Sequence, residues 1–155
     1  MLAKKRLILF GTRHHTVKKI PPEVRQALEF VVDRCHPERV LEEWSTTQME
    51  PSAASEISKL RQVPWRSVGT PPDAKYSTHD HTWALDFPTG ANISRYGPIE
   101  VQEMREELMC MNIKQEMDSV ASAVVVLGIA HLHSMFRKLH NEFDVQAFVF
   151  AWESF

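Results

Sequence analysis

Residues 122–133 read SAVVVLGIAHLH. Five consecutive apolar residues end at Gly128, and a histidine follows three positions later. An apolar run of that length, rich in β-branched residues and closed by turn chemistry, is the pattern of a strand buried on both faces. Such a strand implies a parallel sheet covered by helices on both sides. The same pattern stands near the amino end, where RLILFGTRHH (6–15) runs into Gly11 and then His14.

The rest of the chain alternates between the two periods. RLILF (6–10) and SAVVVLG (122–128) are strands in this reading. PPEVRQALEFVVDRCH (21–36) places Val24, Ala27, Leu28, Val31, Val32 and Cys35 at helical spacing, behind prolines that suit a helix start. ERVLEEW (38–44) predicts a second strand, SAASEISKLRQV (52–63) a short helix capped by Ser52, and WRSVGT (65–70) a third strand. PIEVQEMREELMCMNIKQEM (98–117) is helical, with Val101, Met104, Leu108 and Met111 on one stripe. LHSMFRKLHNEF (132–143) predicts a last helix and DVQAFVFAW (144–152) a last strand. Strands alternating with helices predict a single α/β domain over residues 1–155, its mostly parallel sheet of about five strands flanked by helices. Residues 71–97, rich in Pro, Gly and polar side chains, show no period. A stretch that long is more often a functional loop than a connector, and this one is expected to border the cleft as a lid.

Composition narrows the function classes. The 155 residues are 43% apolar and 25% charged with a net charge of −2, and no basic block appears. A phosphate backbone is therefore not an expected ligand, and no nucleic-acid partner is read. The apolar run AVVVLGIA (123–130) is too short to span a bilayer, so no membrane partner is read either. Cys35 and Cys110 stand apart, inside helical stretches, as small buried hydrophobes of a reducing compartment. The expectation is a cytoplasmic protein, acting on a small-molecule or peptide substrate, with a homodimer as the oligomer to look for.

In parallel sheets ligands bind at the carboxyl ends of strands, where the strand order reverses. Both Gly-x-x-His elements lie at such ends. If strands one and four are neighbours, as in the order 3-2-1-4-5, His14 and His131 emerge side by side, and strand two brings Glu42 or Glu43 to the same rim. Two imidazoles and a carboxylate suffice to hold a catalytic divalent ion, which activates a bound water and polarises a substrate oxygen. A single Gly-x-x-His is more simply a loop histidine with no ligand. Two copies at equivalent strand ends, with an acidic pair on another, favour a site.

At this point the residues resemble a family. LFGTRHHTVKKIPPEVRQALEFVVDRCHPERVLEEW (9–44), EMREELMCMNI (103–113) and VVVLGIAHLHSMFRKL (124–139) resemble, in order and placement, the motifs of the TraB/Tiki group within the EreA/ChaN-like superfamily. The resemblance implies an EreA/ChaN-like fold. It also implies a metal-dependent hydrolase acting on a peptide, ester or phosphoester, with Mn, Co or Zn as the divalent ion. Carried over by position, it makes His14, His131 and Glu42 the metal ligands, with Glu43 the alternative carboxylate because neighbouring strand residues face opposite ways. Glu42, Glu43, Arg105 and His15 are the catalytic candidates. Other members of the superfamily are linked to haem or iron, which implies as the alternative a non-catalytic module binding haem, a metal or a small anion.

Several residues have plainer readings. Arg105 serves equally as a carboxylate or phosphate clamp or as a surface arginine. His15 is open between ligand, proton shuttle and solvent-facing residue, whereas His133 is read as solvent-facing. His79 and His81 flank Asp80 in what is more simply a polar loop tip. Met104, Met109, Met111 and Met117 are read as core packing, and Trp44 as core or as a wall of the pocket.

Overall fold

The strand carrying SAVVVLG, β6 (Ser122–Gly128), occupies the middle of a five-stranded sheet. The computed structural model describes residues 3–44, 51–69, 93–94 and 97–150. The elements before β6 are β1 (Arg6–Thr12), α1 (Pro22–Cys35), β2 (Arg39–Glu42), α2 (Ala53–Arg61), β3 (Trp65–Ser67), a two-residue antiparallel pair β4 (Ile93–Ser94) and β5 (Gly97–Pro98), and α3 (Ile99–Met117). After it come α4 (Ile129–Leu139) and β7 (Asp144–Val149). The five long-range pairing strands are all parallel, in the order β3-β2-β6-β1-β7.

Strands one and four of the sheet, β1 and β6, are adjacent and parallel, with Thr12 opposite Gly128. The expected order 3-2-1-4-5 is corrected in one respect: β6 lies between β2 and β1. The physical reason is burial. The run Ala123–Leu127 is at most 1% exposed, and a strand apolar on both faces costs least at the centre. The consequence reaches the site, because the carboxyl end of β2 now abuts β6 directly.

Side chains alternate across the sheet into two cores. Leu7, Leu9, Leu41, Val125 and Leu127 pack against Met109, Ile113 and Met117 of α3 and Met135 and Leu139 of α4. Ile8, Phe10, Val40, Val124 and Val126 pack against Val24, Leu28 and Val32 of α1 and Ala54 and Ile57 of α2. The result is three layers, helices on both faces. The α1 stripe is as the sequence predicts. The α3 stripe is not: the buried residues are Met109, Cys110, Ile113 and Met117, while Met104 and Met111 are exposed. The (i, i+4) series 109–113–117 meets the sheet, and Met104 and Met111 lie off it.

The last helix and the last strand are bounded differently from expectation. The last helix begins at Ile129, with Gly128 as its N-cap and no connecting loop, so His131 lies in its first turn. The final strand ends at Val149. Gly11 allows α4 to sit close: a Cβ there would lie 3.1 Å from Leu132 Cδ2 and 3.3 Å from Val149 Cγ2. His79, His81 and most of the 71–97 stretch read as a lid lie outside the described residues. Among the described residues no helix is long and apolar enough to cross a membrane.

Helices α1 and α2 are tied by ion pairs. Arg25 reaches Glu56 at 2.6 Å, and Arg61 bonds both oxygens of Asp33 at 3.0 and 3.2 Å. The Arg61 hydrogen bond holds the Asp33 carboxyl below the usual carboxylate range. A carboxyl whose folded pKa is depressed stabilises the fold above its unfolded pKa and loses that contribution as pH falls through the folded value. Asp33→Asn should therefore lower the melting temperature slightly at pH 7, the pair being exposed. That gap should begin to narrow as pH falls through about 4, the unfolded value, and close below the depressed folded one. Thermal melts of both proteins from pH 7 downward check it; a gap that does not narrow at all below about pH 4 contradicts the assignment.

Candidate functional site

The carboxyl ends of β1, β2 and β6 form one rim, and the acidic pair Glu42-Glu43 straddles it. Val40 faces α1 and α2 and Leu41 faces α3 and α4, so strand alternation sends Glu42 to the first side and Glu43 to the second. The two carboxylates thus lie on opposite faces of the sheet. Each is paired with a different histidine.

Glu42 has no solvent exposure. Its Oε2 lies 2.7 Å from His15 Nδ1, and its Oε1 accepts from Ser52 Oγ at 2.5 Å and from Trp65 Nε1 at 2.9 Å. A buried carboxylate is tolerated only when its lone pairs are met by donors, and here four chain segments supply or carry the contacts. Ser52 does two things at once: it caps α2 by accepting from the Ser55 N–H at 3.0 Å, and it donates to Glu42. The loop after β1 is stitched to the same place, through Ala53 N–H to His15 O at 2.7 Å and Val17 N–H to Pro51 O at 3.1 Å. A carboxylate only accepts, so the contact puts a proton on His15 Nδ1 and makes Nε2 the accepting nitrogen of the neutral ring. Trp44 stacks on the imidazole, centroids 5.4 Å apart and planes 26° from parallel. Only 13% of the His15 side chain is exposed.

Glu43 faces the other way. Its Oε1 accepts the Gly128 N–H at 3.0 Å, at the amino end of α4, which has no acidic residue in its own first turn. A carboxylate there is favoured by the helix dipole. Gly128 makes room for it: a Cβ would stand 3.3 Å from Glu43 Oε1. The second oxygen lies 3.4 Å from His131 Nε2 and 3.7 Å from Arg105. On its other side His131 Nδ1 is 3.8 Å from Glu106 Oε1, beyond hydrogen-bond reach. Burial pushes the Arg105 guanidinium below its ordinary pKa, and Glu43 and Glu106 act in the opposite direction. Arg105 is thus a largely buried member of a charged cluster, not a surface arginine.

The structure places the remaining candidates as follows. His14 is exposed, and its backbone N–H and C=O are both bonded by the Thr12 hydroxyl at 3.1 Å. His133 is exposed on α4, as read. His14, His131 and Glu42 are not brought together as one ligand set. Both Glu42 oxygens are already engaged, on the face opposite His131. Among the described residues no group of three or more His, Cys, Asp or Glu side chains converges as a metal shell does. A divalent ion held by Glu42 does not fit this donor arrangement. Three participants escape sequence reasoning. Ser52 is legible as a cap but not as a donor to Glu42. Trp65 and Glu106 carry no local signal, since each reaches its cluster only through sheet and helix packing.

No family model matches this chain, and no curated protein matches it.

Ser52→Ala should be costly for its size. It removes a helix cap and leaves a buried carboxylate one donor short, for an expected loss of about 2–4 kcal/mol. Ser55→Ala, which removes only a hydroxyl bonded to the Ser52 carbonyl, should cost clearly less. Urea unfolding of the two variants measures the difference, and equal losses would count against the Glu42 network as a keystone.

Proposed function

We propose that this chain is a hydrolase working at the carboxyl rim of β1, β2 and β6, with His15 as its acid–base group and Glu42 behind it. The observation that carries the reading is the 2.7 Å contact between His15 Nδ1 and the fully buried Glu42 carboxylate. A carboxylate bonded to one imidazole nitrogen fixes the tautomer, orients the ring and stabilises the imidazolium that forms when the other nitrogen takes a proton. The paired Gly-x-x-His strand ends, and their resemblance to the TraB/Tiki group, support hydrolysis as the reaction class. The substrate is then a small molecule or peptide carrying an ester, peptide or phosphoester bond. The two free thiols, Cys35 and Cys110, suit the cytoplasm.

In this proposal the chain's own groups divide the work. His15 Nε2 removes a proton from the attacking water and later returns one to the leaving group. Ser52 and Trp65 hold Glu42 so that it neither rotates nor takes up solvent, and the Trp44 stack fixes the plane of the imidazole. Glu43 and Arg105 set the position of His131 and of the amino end of α4 beside the same rim.

Hydrolysis of generic ester, peptide and phosphoester substrates, with and without Mn²⁺, Co²⁺ or Zn²⁺, tests the proposal. His15→Ala leaves the buried Glu42 carboxylate one donor short and should lower the melting temperature, and it should lower the rate of the folded protein by about 10²–10⁴. Glu42→Gln should lower it by less and also destabilise the fold. Full activity in His15→Ala would sink the assignment. A Soret band on mixing with haem, with no hydrolysis of any substrate, would put the non-catalytic binding module ahead.

A further inference from the structure

The two edges of the sheet are built differently. At one edge β3 has three residues, follows Pro64 and exposes Arg66. Short length, proline and a cation are the usual means of keeping an edge strand from pairing with another chain. At the other edge β7 has six residues, DVQAFV, with no Pro, Gly, Lys or Arg among them. Among the described residues its only strand partner is β1. Gln146, Ala147 and Phe148 are all exposed, Phe148 to 41%. Among the described residues no other strand pairs with its outer row of backbone N–H and C=O groups, and the strand is largely apolar and carries none of those guards.

We propose that β7 is the contact through which two copies of this chain associate, antiparallel and about a two-fold axis near Ala147, so that one sheet continues across both. The strand is suited to its own copy. Its single charge, Asp144, stands at the very start of the strand, and antiparallel pairing sends the two Asp144 side chains to opposite ends, so no like charges meet. Parallel pairing of two copies would set them on the same end. Residues directly opposite in an antiparallel pair share a face of the sheet. An axis near Ala147 therefore sets Val145 against the second copy's Val149 on the α4 side and Phe148 against its Gln146 on the other. Each contact is made twice, as an isologous interface requires, and the outer edges of the pair are then the two guarded β3 strands, which closes the assembly at two copies.

Sedimentation equilibrium of the full chain over the micromolar range tests this. Wild type should form a dimer that does not grow further. Phe148→Lys and Ala147→Lys, which install the missing edge charge at solvent-exposed positions, should each raise the dimer dissociation constant at least about tenfold. Phe30→Lys, at an aromatic residue 66% exposed on α1, should leave it unchanged. Thermal melts establish that each variant is folded, and Gln146→Lys replaces either one that is not. A wild type that stays monomeric, a dimer indifferent to the edge lysines, or association that continues past two copies would each overturn the proposal.

Discussion

A carboxylate with no access to water sits at the end of β2, and the surrounding structure is arranged to satisfy it. Moving an ionised carboxyl from water to protein interior costs about several kcal/mol even after relaxation. Glu42 meets that cost with three donors drawn from separate parts of the chain: His15 beyond β1, Ser52 at the start of α2, and Trp65 at the start of β3. The network therefore does more than neutralise a charge. It fixes where the β1–α1 loop lies, where α2 begins and how β3 docks. Losing any donor would leave the others bonded to a carboxylate that is no longer satisfied.

The opposite face repeats the device with different parts. Glu43 cannot bury itself beside Glu42, because successive strand residues project to opposite sides. It reaches instead across to β6, takes the Gly128 N–H and lies against His131 and Arg105. Both interactions depend on β6 lying next to β2. Had β1 taken that place, the Glu43 carboxylate would have met the Thr12 end of β1, not the amino end of α4. The position of one apolar strand thus decides which carboxylate serves which histidine.

The rim that results holds two imidazoles, each with a carboxylate beside it, but the two pairs are not equivalent. The His15–Glu42 contact is short and its carboxylate is saturated by neutral donors, an arrangement that orients a ring for proton transfer. The His131–Glu43 contact is longer and lies among Arg105 and Glu106, an arrangement in which charge balance and helix placement dominate. This asymmetry is what favours His15 for the proposed acid–base role even though His14 and His131 are the histidines of the repeated motif.

Much of the fold is legible in the sequence because burial writes itself as period. The continuous apolar runs at 7–10 and 123–127 could only be strands covered on both faces. The spacing of Val24, Leu28, Val31 and Val32 could only be a helix face, and the parallel α/β class follows from their alternation. The adjacency of β1 and β6 is also as the repeated Gly-x-x-His predicts. What sequence could not determine is everything that depends on which surfaces meet. Strand order rests on the relative burial of whole strands, so the insertion of β6 between β2 and β1 had no local signature. The buried stripe of α3 was misplaced because its methionines are apolar at several registers, and only contact with the sheet distinguishes Met109 and Met117 from Met104 and Met111. The partners of Glu42 and Glu43 lie 10 to 88 positions away in the chain, from Ser52 to His131, and no spacing rule links residues joined through a sheet. Sequence by itself determined that carboxylates and imidazoles gather at one rim of a parallel sheet. Tertiary structure alone decided how they pair, because a carboxylate's partner is set by which face its strand turns inward and which neighbour that face meets.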